Sequence, residues 1–371
     1  VLVSVDPSAA AELGAVRVVG TGLLGTSIGL VLAGQGVRVL LSDLSPTALS
    51  LAVNLGAGEP DPGGVRTRLT VVATPPDVTA RVAARVLAED PDTTVTDVAS
   101  IKGEVLRDLA KNSADLSRYV GGHPMAGRER SGPLAARGDL FVGRPWVICP
   151  GDKTEAARVP DVRLLALAAG ATPVVMAAAE HDVAVAVVSH VPQVAASLVA
   201  ARLQHAKDDV VALTGQGLRD VTRIAASDPL LWTQILSANA GPVLEVLQEL
   251  RADLDGVIDR LGALAEGRDV GASLAGVAEI IARGNIGRDR IPGKHGGSPA
   301  RYAVLTVVVP DRPGTLARLF AEIGAAGINV EEVVLEHAPG RAVGLVELSV
   351  IPSVEDALAE ALARGGWHVV S

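Results

Sequence analysis

"VRVVGTGLLGTSIGLVLAGQG", Val16 to Gly36, decides how the chain folds. A short β-branched run enters the pattern G-x-G-x-x-G at Gly20, Gly22 and Gly25, and an apolar helical run leaves it. The glycine pattern alone is weak, but strand before and helix after are the context of a dinucleotide-binding turn. In such a turn Gly20 makes the bend, Gly22 lets a pyrophosphate approach the backbone, and Gly25 permits close helix packing. Leu23 and Leu24 belong to the same loop. Asp43 ends the next strand, 23 residues past Gly20. A carboxylate there would bond ribose hydroxyls and repel a 2′-phosphate, so NAD is expected over NADP. Asp43 also fits a helix-capping role ahead of "LSPTAL". Thr74 and Pro75, closing "LTVVATPP", complete the expected cofactor-binding set.

Outward from this turn, the runs "VRVVG", "VRVLLSD", "LTVVATPP", "TVTDVAS", "RPWVICP" and "TPVVM" alternate with Ala- and Leu-rich segments. They read as buried parallel strands between helices, an α/β fold with a doubly wound, Rossmann-type sheet over residues 1–177. "VLVSVDPSAAAELGA" ahead of them reads as a short ragged lead. Residues 178–288 read as helical with almost no strand signal. Stretches such as "HDVAVAVVSHVPQVAASLVAARL" are apolar on several faces, which predicts cover from a second subunit and a homodimer. "GNIGRDRIPGKHGGSPA", Gly284 to Ala300, carries a Gly- and Pro-rich linker set at 289–299. Whether Lys294 and His295 in it touch a ligand or are simply solvated is open. Residues 300–371 follow a βαββαβ order, the ferredoxin-like split arrangement.

A length of 371 residues requires more than one core. A net charge of −9 argues against nucleic acid and anionic membrane as partners, since both need clustered basic surface. The single cysteine, Cys149, excludes an intramolecular disulfide and reads as a buried inert thiol. No basic-then-apolar leader opens the sequence, and a cytoplasmic location is expected. The apolar run Val183 to Leu203 is broken by Ser189, His190, Pro192 and Gln193, so it reads as a buried helix pair and not a membrane span. No metal site is expected.

Four stretches could carry chemistry. In "GGHPMAGRERSG", Gly121 to Gly132, His123 sits between a Gly-Gly pair that would let backbone approach a ligand and Pro124, which stops the strand. A catalytic or ligand role and a plain turn histidine both fit. In "TDVASIKGE", Ser100 stands where a helix N-cap would, yet its loop should lie at the carboxyl end of the sheet, where ligands bind. His190 in "SHVPQ" fits a core histidine satisfied by backbone. In "RDVTRIAASDPLLW", Arg219 reads as a solvated charge, Arg223 would suit a carboxylate through its guanidinium fork, and Asp228-Pro229 starts a helix before Trp232.

Taken in order, "GTGLLGTSIG", "TDVASIKGE", "GGHPMAGRERSG", "EHD" with "SHVPQ", and "TRIAASDPLLW" resemble the prephenate dehydrogenase family. "PDRPGTLARLFAEIGAAGINVEEV" resembles an ACT domain, an amino-acid-sensing module, and the whole resemblance spans Val16 to Ser371. It implies NAD-dependent oxidative decarboxylation of prephenate to 4-hydroxyphenylpyruvate in tyrosine biosynthesis. His123 would take the proton of the ring hydroxyl, work that suits an imidazole of reference pKa about 6.5. Ser100 would orient that hydroxyl and the histidine, His190 would lie near the substrate, and Arg223 would grip a substrate carboxylate. Trp232 matches a tryptophan that can reach toward a neighbouring subunit's site. Gln193 departs from the pattern, since many relatives carry a second histidine there. Gly314 and Asn329 match positions that line amino-acid sites between paired ACT domains, with tyrosine the expected feedback effector; both also fit plain turn residues. Arogenate dehydrogenase shares every motif, and a non-catalytic amino-acid sensor is a further reading. A β-hydroxyacid dehydrogenase is disfavoured, because its helix lysine has no counterpart between Lys153 and Lys207.

Overall fold

Eight short strands assemble around the glycine turn in the computed structural model, which describes residues 7–112, 115–127, 132–292, 302–337 and 342–370. They are β1 (Val16–Val19), β2 (Val39–Ser42), β3 (Glu59–Pro60), β4 (Leu69–Val72), β5 (Thr94–Asp97), β6 (Tyr119–Pro124), β7 (Pro145–Pro150) and β8 (Thr172–Val175). Their order is β3-β2-β1-β4-β5-β6-β7-β8, with the reversal of direction on either side of β1 that defines a doubly wound sheet. The helices between them are α1 (Pro7–Leu13), α2 (Leu23–Ala33), α3 (Pro46–Asn54), α4 (Pro76–Glu89), α5 (Gly103–Asn112) and α6 (Val159–Ala168).

Alternation along the strands builds a core on each face. Val16, Val18, Leu69 and Val71 pack with Ile28 and Leu32 of α2 and Leu165 of α6. Val19, Val72 and Val95 pack with Ala83 and Leu87 of α4 and Leu109 of α5. The expected ragged lead is instead partly helical, and Ala9, Ala10 and Leu13 of α1 bury themselves in the first of these cores.

One expectation about the sheet fails. β7 runs antiparallel to β6, with Gly121 opposite Cys149 and His123 opposite Val147, although it is parallel to β8. A parallel pair needs a crossover, usually a helix. Between β6 and β7 the described residues hold only a three-residue 3-10 turn, Pro133–Ala135, so the chain returns in the opposite sense. Cys149 is fully buried on β7, and desolvation pushes its thiol up to about 12, as befits an inert group.

From Ala178 the chain is helical through α7 (Ala178–Val185), α8 (Val191–Ala201), α9 (Asp208–Val211), α10 (Gln216–Thr222), α11 (Pro229–Ala238), α12 (Ala240–Ala265) and α13 (Val270–Arg288). A π turn, Ala186–His190, joins α7 to α8, so the expected helix pair is one continuous run to His205. By length and composition that run could cross a bilayer. Its polar groups His181 and Asp182 are buried in bonds to β6 and α5, but only 33% of its most apolar stretch is buried in this chain, less than the buried pair expected. Residues 284–288, read as the start of the linker motif, are the last turn of α13, while 293–300, with Lys294 and His295, lie outside the described residues.

Contacts group the chain into two compact units, Val1–Leu250 and Arg251–Ser371. The second contains β9 (Ala303–Pro310), α14 (Thr315–Ala325), β10 (Glu332–His337), β11 (Val343–Val350), α15 (Glu355–Arg364) and β12 (His368–Val370), in an antiparallel sheet ordered β10-β11-β9-β12. This is the expected ferredoxin-like arrangement, closed by Val307, Leu319, Val346, Leu358 and Trp367.

Candidate active site

The turn after β1 has the geometry its glycines require. Gly20 is left-handed at φ 101°, and a Cβ there would meet the Ala73 carbonyl oxygen at 2.4 Å. A Cβ on Gly25 would strike the Gly20 oxygen at 1.9 Å, so any side chain would push α2 off the sheet. Gly22, the α2 N-cap, faces open space with no atom within 4 Å of such a Cβ. A helix N-terminus with open backbone in front of it suits a phosphate.

Leu23 and Leu24 start α2 with their side chains against the core. Asp43 is half-buried beyond β2; its Oδ2 accepts from Thr21 N at 2.6 Å and Thr21 Oγ1 at 2.8 Å. Oδ1 accepts from Ser45 N at 2.8 Å, while Ser45 itself caps α3. Asp43 is therefore held by the glycine turn as well as bracing the helix start. After β4, Thr74 shares a hydroxyl bond of 3.1 Å with Thr79, and exposed Pro75 is the α4 N-cap.

Because β1, β2, β4, β5 and β6 are mutually parallel, the loops after them open on one edge of the sheet. Gly22, Asp43, Thr74, Ser100 and His123 are thereby gathered from 102 residues of sequence. Ser100 is half-buried and makes no hydrogen bond among the described residues. The expected cap role is not its own: α5 starts only at Gly103, and Asp182 of α7 takes the first amides, from Lys102 N at 2.8 Å and Gly103 N at 2.7 Å.

The glycines before His123 serve a different end from the one expected. A Cβ on Gly122 would meet Asp97 O at 2.6 Å, and one on Gly121 would crowd Lys102 Cδ at 3.1 Å. They let β6 close onto β5 and a buried lysine. Lys102 Nζ donates to the Gly122 carbonyl at 2.7 Å and pairs with Asp97, whose other oxygen accepts from the Tyr119 hydroxyl. Burial and the neighbouring Asp97 push the Tyr119 phenol well above its ordinary range.

His123 Nδ1 lies 2.8 Å from His181 Nε2, and the rings meet edge-on with centroids 5.0 Å apart. His181 Nδ1 lies 2.9 Å from Asp182 Oδ1. Desolvation holds the His123 imidazole well below its ordinary pKa, with His181, Lys102 and His190 adding to the shift, which favours its neutral form. His190 is buried as expected of a core histidine, but its partner is a side chain: Asn239 Nδ2 donates to its Nδ1 at 3.1 Å and to the Asp182 carbonyl at 2.8 Å. Desolvation lowers the His190 pKa to about 4 against a smaller upward pull from Asp182. Trp232 stands edge-on to the ring of its own chain's His190, centroids 6.0 Å apart.

Arg223 begins an exposed 3-10 turn, Arg223–Ala225, and makes no ion pair among the described residues. Gln193, the departure from the family pattern, is buried and donates to Ser227 Oγ at 2.7 Å, tying α8 to the loop that carries Arg223. In the second unit Gly314 is the left-handed N-cap of α14. Asn329 lies three residues ahead of β10 instead of starting it, and donates to Glu331 at 2.8 Å. Among the described residues no cluster of His, Cys, Asp and Glu could hold a metal.

Sequence reasoning gave no role to Lys102, Asp97, Asp182, His181 or Asn239. All lie in or near quoted motifs, but their partners are up to 80 residues away, and only the fold joins them.

Residues 28–175 match the model of the prephenate dehydrogenase nucleotide-binding domain, 177–265 that of the prephenate dehydrogenase dimerization domain, and 303–363 that of the ACT domain. A probable prephenate dehydrogenase, NovF, of Streptomyces niveus is 40% identical over 94% of this chain and 98% of its own length. The chain belongs to the prephenate dehydrogenase family. The Bacillus subtilis prephenate dehydrogenase is 29% identical over 85% of this chain and 86% of its own. Among solved structures, the prephenate dehydrogenase of Aquifex aeolicus in complex with hydroxyphenyl propionate and NAD+ is 28% identical, with a TM-score of 0.63 over 74% of this chain and 98% of that one. The Synechocystis arogenate dehydrogenase reaches a TM-score of 0.61 at 25% identity, over 74% of this chain and 99% of that one.

Proposed function

We infer that the chain is an NAD-dependent prephenate dehydrogenase, which oxidises and decarboxylates prephenate to 4-hydroxyphenylpyruvate. The observation that carries this reading is a neutral imidazole, His123, on the same sheet edge as an open dinucleotide turn. The Gly20–Gly25 turn, Asp43, Thr74 and Pro75 are the residues that would hold NAD. When bound, NAD supplies the hydride acceptor for the ring carbinol carbon. His123 takes the hydroxyl proton as the C–H bond breaks, leaving a ketone in conjugation with the ring. Loss of the ring carboxylate as carbon dioxide then leaves its bonding pair in the ring, which becomes aromatic as the ketone oxygen takes the negative charge and regains the proton held by His123.

Ser100 orients the hydroxyl, His190 and Trp232 close the substrate side, and the unpaired Arg223 engages a substrate carboxylate. The domain division proposed is 1–177 for cofactor, 178–288 for substrate and dimerisation, 289–299 as linker and 300–371 as sensor. The ACT domain would bind tyrosine at Gly314 and Asn329 as a feedback signal, and the enzyme would work in the cytoplasm as a homodimer.

The test is NADH formation by the purified protein with prephenate or arogenate, each with NAD or NADP, with and without tyrosine. Turnover of prephenate with NAD, suppressed by tyrosine, is expected. Turnover of arogenate alone would move the substrate to arogenate, and no turnover of either would leave the sensor reading. Calorimetry showing no tyrosine binding to the whole protein would remove the effector.

A further inference from the structure

Beneath His123 lie two linked side chains, His181 and Asp182, that the reaction as written does not use. Asp182 carries one amide bond on each oxygen, Lys102 N on Oδ1 and Gly103 N on Oδ2, and Oδ1 also faces His181 Nδ1 at 2.9 Å. His181 Nε2 faces His123 Nδ1 at 2.8 Å. We propose that His181 and Asp182 are positioning residues, which hold the proton of neutral His123 on Nδ1 and so present Nε2 as the basic atom. The proposal rests on the assignment of His123 as base.

The direction of each bond follows from the carboxylate. Burial opposes its charge, but the bonds from His181, Lys102 and Gly103 outweigh burial and hold Asp182 below the ordinary carboxylate range. An ionised carboxylate only accepts, so His181 donates from Nδ1. A neutral imidazole with its proton on Nδ1 has its lone pair on Nε2, so the His123 nitrogen facing it must donate. That leaves the lone pair of His123 on Nε2. A His181 imidazolium would reverse the last bond and block this arrangement.

The coupling also serves the charged state. When His123 gains a proton at Nε2, its Nδ1–H bond leads through a neutral His181 to the negative Asp182, whereas His181 in its charged form, Lys102 and His190 all oppose a cation on His123. A second histidine between base and carboxylate extends the reach of the carboxylate without placing its charge against the substrate.

Seven histidines make the tautomers readable by long-range nitrogen-15 NMR of the whole protein near pH 7, with His123 assigned by the signals lost in His123→Asn. The Nδ1–H form of His123 is expected, and in His181→Asn, too short to reach His123, it should give way to a mixture. His181→Asn should lower kcat roughly 10- to 10³-fold, as for a base in the wrong tautomer, with KM changed less than about threefold. His181→Gln, whose amide oxygen can accept the Nδ1 proton, should recover part of the loss, which a merely structural role would not produce. Asp182 also caps α5, so the His181 series carries the test. An Nε2–H tautomer in the unaltered protein, or unchanged kcat in His181→Asn, would overturn the proposal. If neither prephenate nor arogenate is turned over, the functional reading fails, while the tautomer measurement still decides this one.

Discussion

The edge of the Rossmann sheet and the helices that follow it spend similar apolar sequence in opposite ways. In the sheet, Val71, Leu69 and Ile148 are fully buried by helices of the same chain, and the buried polar groups Asp97, Lys102 and Tyr119 are bonded to one another. In the helices, Val188 is 64% exposed and Leu230 75% exposed, with Val187 and Leu198 more than half exposed. The sheet is finished by its own chain, whereas the helical segment leaves large apolar side chains open and matches a dimerization domain. At the sheet edge, desolvation is the largest influence holding the His123 imidazole below its ordinary pKa.

The largest effect should come from the finished side. His123→Asn is expected to lower kcat by roughly 10²- to 10⁴-fold, the span of a lost general base, with NAD still bound in a fluorescence titration. Near-normal turnover would remove His123 from the chemistry. Next, Lys102→Met leaves Asp97 as an uncompensated buried charge, and chemical denaturation should show a loss of about 3–5 kcal/mol. A loss below about 1 kcal/mol would mean that the Asp97 and Tyr119 pair absorbs the charge unaided.

Arg223→Ala probes an exposed cation on the unfinished side. It should raise KM for prephenate by an amount worth about 2 kcal/mol, with little change in kcat or melting temperature. An unchanged KM would count against a carboxylate contact. On the same side, Val188→Asp should weaken self-association by about 1–3 kcal/mol, read by sedimentation as dimer giving way to monomer on dilution. A chain that sediments as a monomer before substitution would end the comparison.

The remaining effect is a pH dependence. His190 titrates near 4 when folded and near the ordinary 6.5 when unfolded, so between those values the unfolded chain binds more protons. Stability should therefore fall as pH drops from about 6.5 to about 4, and stay flat above neutrality as far as this group is concerned. Asn239 can only donate to Nδ1 while that nitrogen is unprotonated. His190→Gln should flatten part of the slope in melting curves across that window, and an unchanged slope would assign it elsewhere.

The glycine turn, the acidic end of β2, the helical character of 178–288 and the βαββαβ order of the last unit could all be read locally. Each is governed by backbone conformation or by hydrophobic period, which neighbouring residues along the chain decide. His123, Ser100, Asp43 and Gly22 could be placed on one edge of the sheet for the same reason, since every parallel strand delivers its carboxyl end to that edge.

What sequence could not supply were the partners. The antiparallel turn of β7 depended on a connection without a crossover helix. The glycines beside His123 answered to Asp97 and Lys102, and the cap of α5 came from Asp182 rather than Ser100. Each of these is a contact between residues distant in sequence, chosen by which groups must be satisfied once water is excluded. The residue types and the sheet edge were determined by sequence alone. Which nitrogen of His123 faces His181, and which charges stand beside it, were decided only when α7 packed its His181-Asp182 pair against β6 and α5.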